Sequence, residues 1–108
     1  IGREAESSVA EQLKKQGYDL VDQNWRTKDC EIDLIMSKGN VMYFIEVKYR
    51  RNDIYGSGLE YITPKKLKQM KFAAEMWLAN NKWAGDSTLA AAELQDQPRL
   101  SVDLVELS

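Results

Sequence analysis

Apolar positions along the chain switch between two spacings. Over residues 3–16, Ala5, Val9 and Leu13 recur every fourth position with Ala10 beside them, which predicts a helix that Gly17 ends after Lys14 and Lys15. Beyond it, Tyr18–Trp25 (YDLVDQNW), Glu31–Ser37 and Val41–Tyr49 read as three strands rich in β-branched and aromatic residues. A charged, glycine-containing loop over Arg50–Tyr61 separates them from a second helix. Its start is marked by Thr63-Pro64, a cap followed by proline at the first helical position, and Leu67, Met70, Ala74, Trp77 and Leu78 then repeat at helical spacing to about residue 81. Residues 82–99 contain Gly85, Asp86, Pro98 and an alanine-rich piece, and read as a loop with at most one helical turn; Leu100–Leu107 reads as a last strand. The expected order is helix, three strands, helix, strand, in one domain over residues 1–108, because this length buries a single core and no repeat or linker divides it.

Two charged residues violate the helical pattern. At about 100° per residue, Glu6 falls inside the apolar arc of the first helix, between Leu13 and Ala10, whereas Glu4 and Glu11 point away. A carboxylate facing a core is costly unless a cation or a hydrogen-bond donor meets it; the alternative is an acid at the stripe's edge reaching water. Lys66 likewise projects into the arc of the second helix between Ala73 and Trp77, while Lys65 and Lys68 lie outside it. The bland reading of Lys66 is a packed stem with a wet tip.

The second and third strands carry charge within apolar runs. Strict alternation sets Ile32, Leu34 and Met36 on one face and Glu31, Asp33 and Ile35 on the other; Ile45 and Val47 oppose Phe44, Glu46 and Lys48. Gly39-Asn40 suits the tip of a two-residue type II′ hairpin, a register that puts Asp33 opposite Glu46 and Glu31 opposite Lys48, with Cβ atoms about 4.5–5.5 Å apart. Shifting the tip to Lys38-Gly39 makes Asp33 and Glu46 diagonal neighbours, still on one face. Two like charges so placed ask for a cation.

Composition narrows what that cation is for. The chain is 44% hydrophobic and 30% charged, with no apolar run near the roughly 18 residues that span a bilayer, so no membrane segment is expected. The first residue is Ile, and the expected location is cytoplasmic. A single cysteine, Cys30, and no histidine exclude an intrachain disulfide framework, the common structural zinc sites and Ser-His or Cys-His nucleophile pairs; Cys30 reads as a small buried residue. Catalysis here has carboxylates, lysines or a metal to draw on. Carboxylates without His or Cys are hard ligands that favour Mg²⁺ or Mn²⁺, and Lys48 is placed to orient or help deprotonate a metal-activated water and to stabilise charge on phosphorus. A buried ion-pair network of Glu31, Asp33, Glu46 and Lys48 that binds nothing has the same spacing.

Net charge is −2, yet residues 48–71 hold seven Lys/Arg against two acids, +5, which leaves −7 for the remainder. Lys48, Arg50 and Arg51 lead from the acids into the loop, and Lys65, Lys68 and Lys71 follow on the next helix. Such a segment suits sequence-independent phosphate contacts; a solvated charge run is the alternative. Tyr55 and Trp25 offer faces for stacking on bases, but packing is the commoner use of both residue types.

Four stretches, GREAESSVAEQLKKQGY, NWRTKDCEIDLI, FIEVKYR and TPKKLKQMKFAAEMWL, with the terminal RLSVDLVEL, cover nearly the whole chain in a familiar order. On them the chain closely resembles the YraN-like family of predicted nucleases, within the PD-(D/E)xK restriction-endonuclease-like superfamily and similar to archaeal Holliday junction resolvases. The resemblance implies an αβββαβ restriction-endonuclease-like core, a mixed central sheet flanked by helices. It implies that Asp33, Glu46 and the Val47 carbonyl hold a divalent ion, Mg²⁺ or Mn²⁺, with Glu6 near it directly or through water. Lys48 then assists hydrolysis of a phosphodiester in DNA, plausibly branched or structured DNA, and Lys66 contacts phosphate or supports the site. Arg50, Arg51, Lys65, Lys66 and Lys68 are the expected nucleic-acid contacts, with RNA left open as a substrate, and a homodimer follows by analogy. Cys30 departs from the pattern, standing where the family usually has Gly before EIDLI. Two further readings remain beside the enzyme: a nucleic-acid-binding module with the fold but no turnover, and a protein-interaction scaffold with a structural charge cluster.

Overall fold

The computed structural model describes residues 2–50, 61–95 and 99–107. Seven elements follow in order: α1 (Gly2–Lys15), β1 (Asp19–Arg26), β2 (Glu31–Lys38), β3 (Val41–Arg50), α2 (Pro64–Asn81), β4 (Asp86–Gln95) and β5 (Ser101–Glu106). The strands lie side by side in that order in one sheet, with β3 and β4 parallel and every other neighbouring pair antiparallel. Because β3 and β4 run the same way, a crossover must join them, and α2 is that crossover. The expectation of a mixed sheet flanked by helices stands, with one strand added.

Each helix covers one face. Val9 and Leu13 of α1 are fully buried and pack with Leu34, Met36, Ile45, Ala90, Ala92 and Leu94. Met70, Ala73, Ala74 and Trp77 of α2 pack on the other face with Ile32, Ile35, Met42 and Phe44, and the Phe44 and Trp77 rings meet edge to face at 5.7 Å. Two indole groups fasten α2 to the edge strand: Trp25 Nε1 donates to the Ala73 carbonyl and Trp77 Nε1 to Asp22 Oδ2, each at 3.0 Å.

Three expectations change. Residues 86–95 are a strand, not a loop. Alanine reads as a helix or loop former, but β4 is sandwiched between β3 and β5 with Ala90, Ala91 and Ala92 fully buried, and small side chains fit there. Gly85, just before it, abuts the hairpin tip: a Cβ there would lie 2.5 Å from Asn40 Oδ1, while Asp86 N donates to Asn40 O at 2.8 Å.

Alternation along β2 is also not strict, since Ile32 and Ile35 both pack with α2 while Leu34 and Met36 pack with α1. The phase changes opposite Asn24, a strand residue in left-handed backbone conformation (φ 53°), where β1 changes phase too: Asp22 and Trp25 both reach α2.

Third, Glu31 forms an ion pair with Arg26 at 3.4 Å, and Lys48 packs instead over the Tyr61 ring, 5.1 Å from its centroid. The hairpin itself is as the sequence suggests: Lys38 pairs with Val41 and Leu34 with Ile45, around a tip whose Gly39 is left-handed at φ 61°.

Candidate metal and phosphate site

The β2–β3 ladder runs from the hairpin to the Leu34–Ile45 pair and there gives way to side chains. Asp33, the next residue of β2, accepts the Val47 N–H through Oδ2 at 2.8 Å, so a carboxylate takes a donor that a continued ladder would give to a backbone carbonyl. In a strand the N–H and C=O of one residue point to the same side, so the Val47 carbonyl also faces β2 near Asp33. On its other side β3 remains paired with β4 as far as Arg50–Gln95. One strand thus opens toward Asp33 and stays anchored behind.

Glu46 precedes Val47 and meets Lys66 Nζ at 3.5 Å, with side chains 17% and 30% exposed respectively. Lys66 lies in the first turn of α2, which holds no acid, where a cation opposes the helix dipole. Its place there is favoured by Glu46 and by the cap, since Thr63 Oγ1 accepts the Lys66 N–H at 3.1 Å. The Lys66 anomaly in the helical pattern is therefore an ion pair at the sheet, not a free tip. Glu6 is half-buried, and its Oε1 accepts from Asn24 Nδ2 at 2.9 Å; Asn24 Oδ1 in turn accepts from Arg3 Nη1.

Electrostatics follow the crowding of acids. Burial, reinforced by the charges of Glu46, Glu6 and Glu31, pushes the Asp33 carboxyl up to about 7, against the lowering effect of its bond from Val47. Burial also raises Glu46, opposed by Lys66 and Lys48. Cys30 is buried beside the same charges, and burial raises its thiol, which keeps it protonated and inert.

A carboxyl raised first by burial and then by neighbouring acids is one that a cation placed beside it would lower again. Among the described residues, no three His, Cys, Asp or Glu side chains stand in one ligating group. What the site offers is two half-buried carboxylates, Asp33 and Glu46, and a backbone carbonyl, all hard oxygens. That donor set fits Mg²⁺, which keeps several waters when one or two carboxylates bind it. The remaining expected contacts fall outside the cluster: Lys65 and Lys68 are exposed on α2, Arg50 ends β3 but its side chain lies outside the described residues, and so do Arg51 and Tyr55. Sequence reasoning missed Asn24 and Tyr61. Asn is one of the few residue types that enter left-handed backbone readily, but nothing in YDLVDQNW says that it does so here.

The family described as Uncharacterised protein family UPF0102 matches residues 5–107. A UPF0102 protein of Vibrio campbellii is 42% identical over 82 residues, 76% of this chain and 67% of its own length. One from Pseudomonas fluorescens is 39% identical over 84 residues (77% and 70%), and one from Leifsonia xyli 42% over 77 (71% and 65%). The chain belongs to this family.

Proposed function

On the premise of that membership, the YraN-like one, we propose that the protein is a divalent-metal-dependent endonuclease of restriction-endonuclease-like fold, hydrolysing phosphodiester bonds in DNA, plausibly branched or structured DNA. The observation that carries this reading is the end of the β2–β3 ladder at Leu34–Ile45, beyond which the Asp33 carboxylate, next to Glu46 on the neighbouring strand, accepts the Val47 N–H. A Mg²⁺ or Mn²⁺ ion held by Asp33, Glu46 and the Val47 carbonyl, with Glu6 reaching it through water, would supply an activated water and neutralise charge on the phosphate.

The chain's own groups do the rest. Val47 N–H fixes the Asp33 carboxylate, and Lys66 fixes Glu46. Lys48, held over Tyr61, presents an ammonium that orients water and stabilises charge at phosphorus. Exposed Lys65 and Lys68 on the same helix turn as Lys66 contact flanking phosphates.

The test is cleavage of plasmid and four-way-junction DNA with Mg²⁺ or Mn²⁺. Wild type should cut only with metal, and Asp33→Asn should lose on the order of a hundredfold or more of the rate. Cutting without metal, or an undiminished Asp33→Asn variant, sinks the proposal.

One observation favours a second reading. Lys66 already neutralises Glu46, as a structural ion-pair network in a nucleic-acid-binding or scaffold protein would require. Calorimetry showing no Mn²⁺ binding, together with no cleavage, selects it.

A further inference from the structure

We propose that Asn24 is the positioning residue for Glu6, holding that carboxylate toward Asp33 and thereby setting the site's affinity for a divalent ion; the affinity claim rests on the metal-dependent reading above. Asn24 sits in β1 between the Gln23–Leu34 and Trp25–Ile32 pairs, at the level of Asp33 on β2. Strict alternation would turn it to the same face as Asp22, toward α2. Its left-handed backbone (φ 53°) turns it to α1 instead, where Nδ2 donates to Glu6 Oε1 at 2.9 Å. A left-handed residue inside a strand is unfavourable for most side chains, by about 1–2 kcal/mol, and Asn is among the types that tolerate it.

Orientation of the amide follows from what surrounds it. Arg3 donates to Asn24 Oδ1, which leaves Nδ2 for the acid. A neutral amide thus stands between the Arg3 guanidinium and the Glu6 carboxylate, so the cation is held off the acid by one residue. Outer groups that orient ligands or their waters typically set metal affinity by about 10–100-fold.

Glycine separates the two roles of this residue, because it adopts the left-handed backbone freely but carries no amide. Two measurements decide the case. In metal-free protein, a double-mutant cycle of Asn24→Gly and Glu6→Ala, read by denaturant unfolding, should show coupling between the two positions. With Mn²⁺ followed by calorimetry, Asn24→Gly should remain folded and bind about tenfold more weakly, with the double variant no weaker than Glu6→Ala alone. Asn24→Asp, which keeps the backbone but replaces the donor with an acceptor, should weaken binding at least as much. Absent coupling in the metal-free cycle overturns the inference whatever the metal does, as does wild-type Mn²⁺ affinity in a folded Asn24→Gly variant. Coupling without any Mn²⁺ binding by wild type overturns the affinity claim and the nuclease reading and leaves Asn24 as the holder of Glu6.

Discussion

Asp33 has a carboxyl whose folded-state value, about 7, lies above the ordinary 3.8 of an unfolded chain. Between those values the folded protein binds a proton that the unfolded chain has released. Stability therefore falls as pH rises from about 4 to 7 and levels off above, the reverse of a salt-bridged aspartate. Asp33→Asn, which keeps an acceptor for Val47 N–H, should flatten that slope and raise stability at pH 8 by about 1 kcal/mol, a figure kept small because solvent screens a half-buried acid. Melting at pH 4, 6 and 8 in metal-free buffer checks it, and a variant with the wild-type slope would contradict it. Gain in stability on losing the acid is the mark of a group kept for chemistry. At this scale Glu6 and Lys66 were legible in the sequence because helical rotation placed charge in an apolar arc, and each has its partner in the fold. Asn24 and Tyr61 were not, because their roles depend on one backbone angle and on where a loop's end returns to the sheet.

Among the elements, α2 joins scaffold and site. Thr63 caps it and also fixes the backbone of Lys66, the partner of Glu46. Thr63→Ala should cost about 1 kcal/mol of stability, and, in the nuclease reading, should lower cleavage more than a cap-neutral change such as Thr63→Ser. Unfolding midpoints and cleavage rates of the two variants measure both. The start of α2, the hairpin tip and the β3 acid Glu46 were readable because each depends on local chemistry: Thr-Pro, Gly-Asn, and alternation close to a turn. β4 was not. Its alanines have no strand preference of their own, and only their place between β3 and β5 makes a strand of them. Ile32 was assigned to the wrong face because the period of two breaks between it and Leu34, opposite the left-handed Asn24 of the neighbouring strand.

For the whole molecule, charge is divided rather than abundant. The +5 of residues 48–71 lies on a chain of net −2 and includes Lys48 and Lys66 of the site and the exposed Lys65 and Lys68. If these two meet phosphate, charge reversal of both should weaken binding of any duplex about equally and reduce the slope of log affinity against log salt by about 2, one for each lysine. Electrophoretic shifts over a salt series measure the slope; an unchanged one would assign the two lysines to solvent. Asp33→Asn should leave that binding intact, which separates holding DNA from cutting it. No described helix is long and apolar enough to cross a membrane.

The crossover between β3 and β4 has a consequence for the order in which the molecule assembles. The β1–β2 and β2–β3 pairs join neighbours along the chain, and such local contacts form early, whereas the parallel pair waits for a loop and a helix to be laid down between its strands. A chain emerging from the ribosome therefore carries Asp33 and Glu46 before it carries Lys66. Glu46 meets its cation only when α2 docks, so the candidate site is a late product of folding.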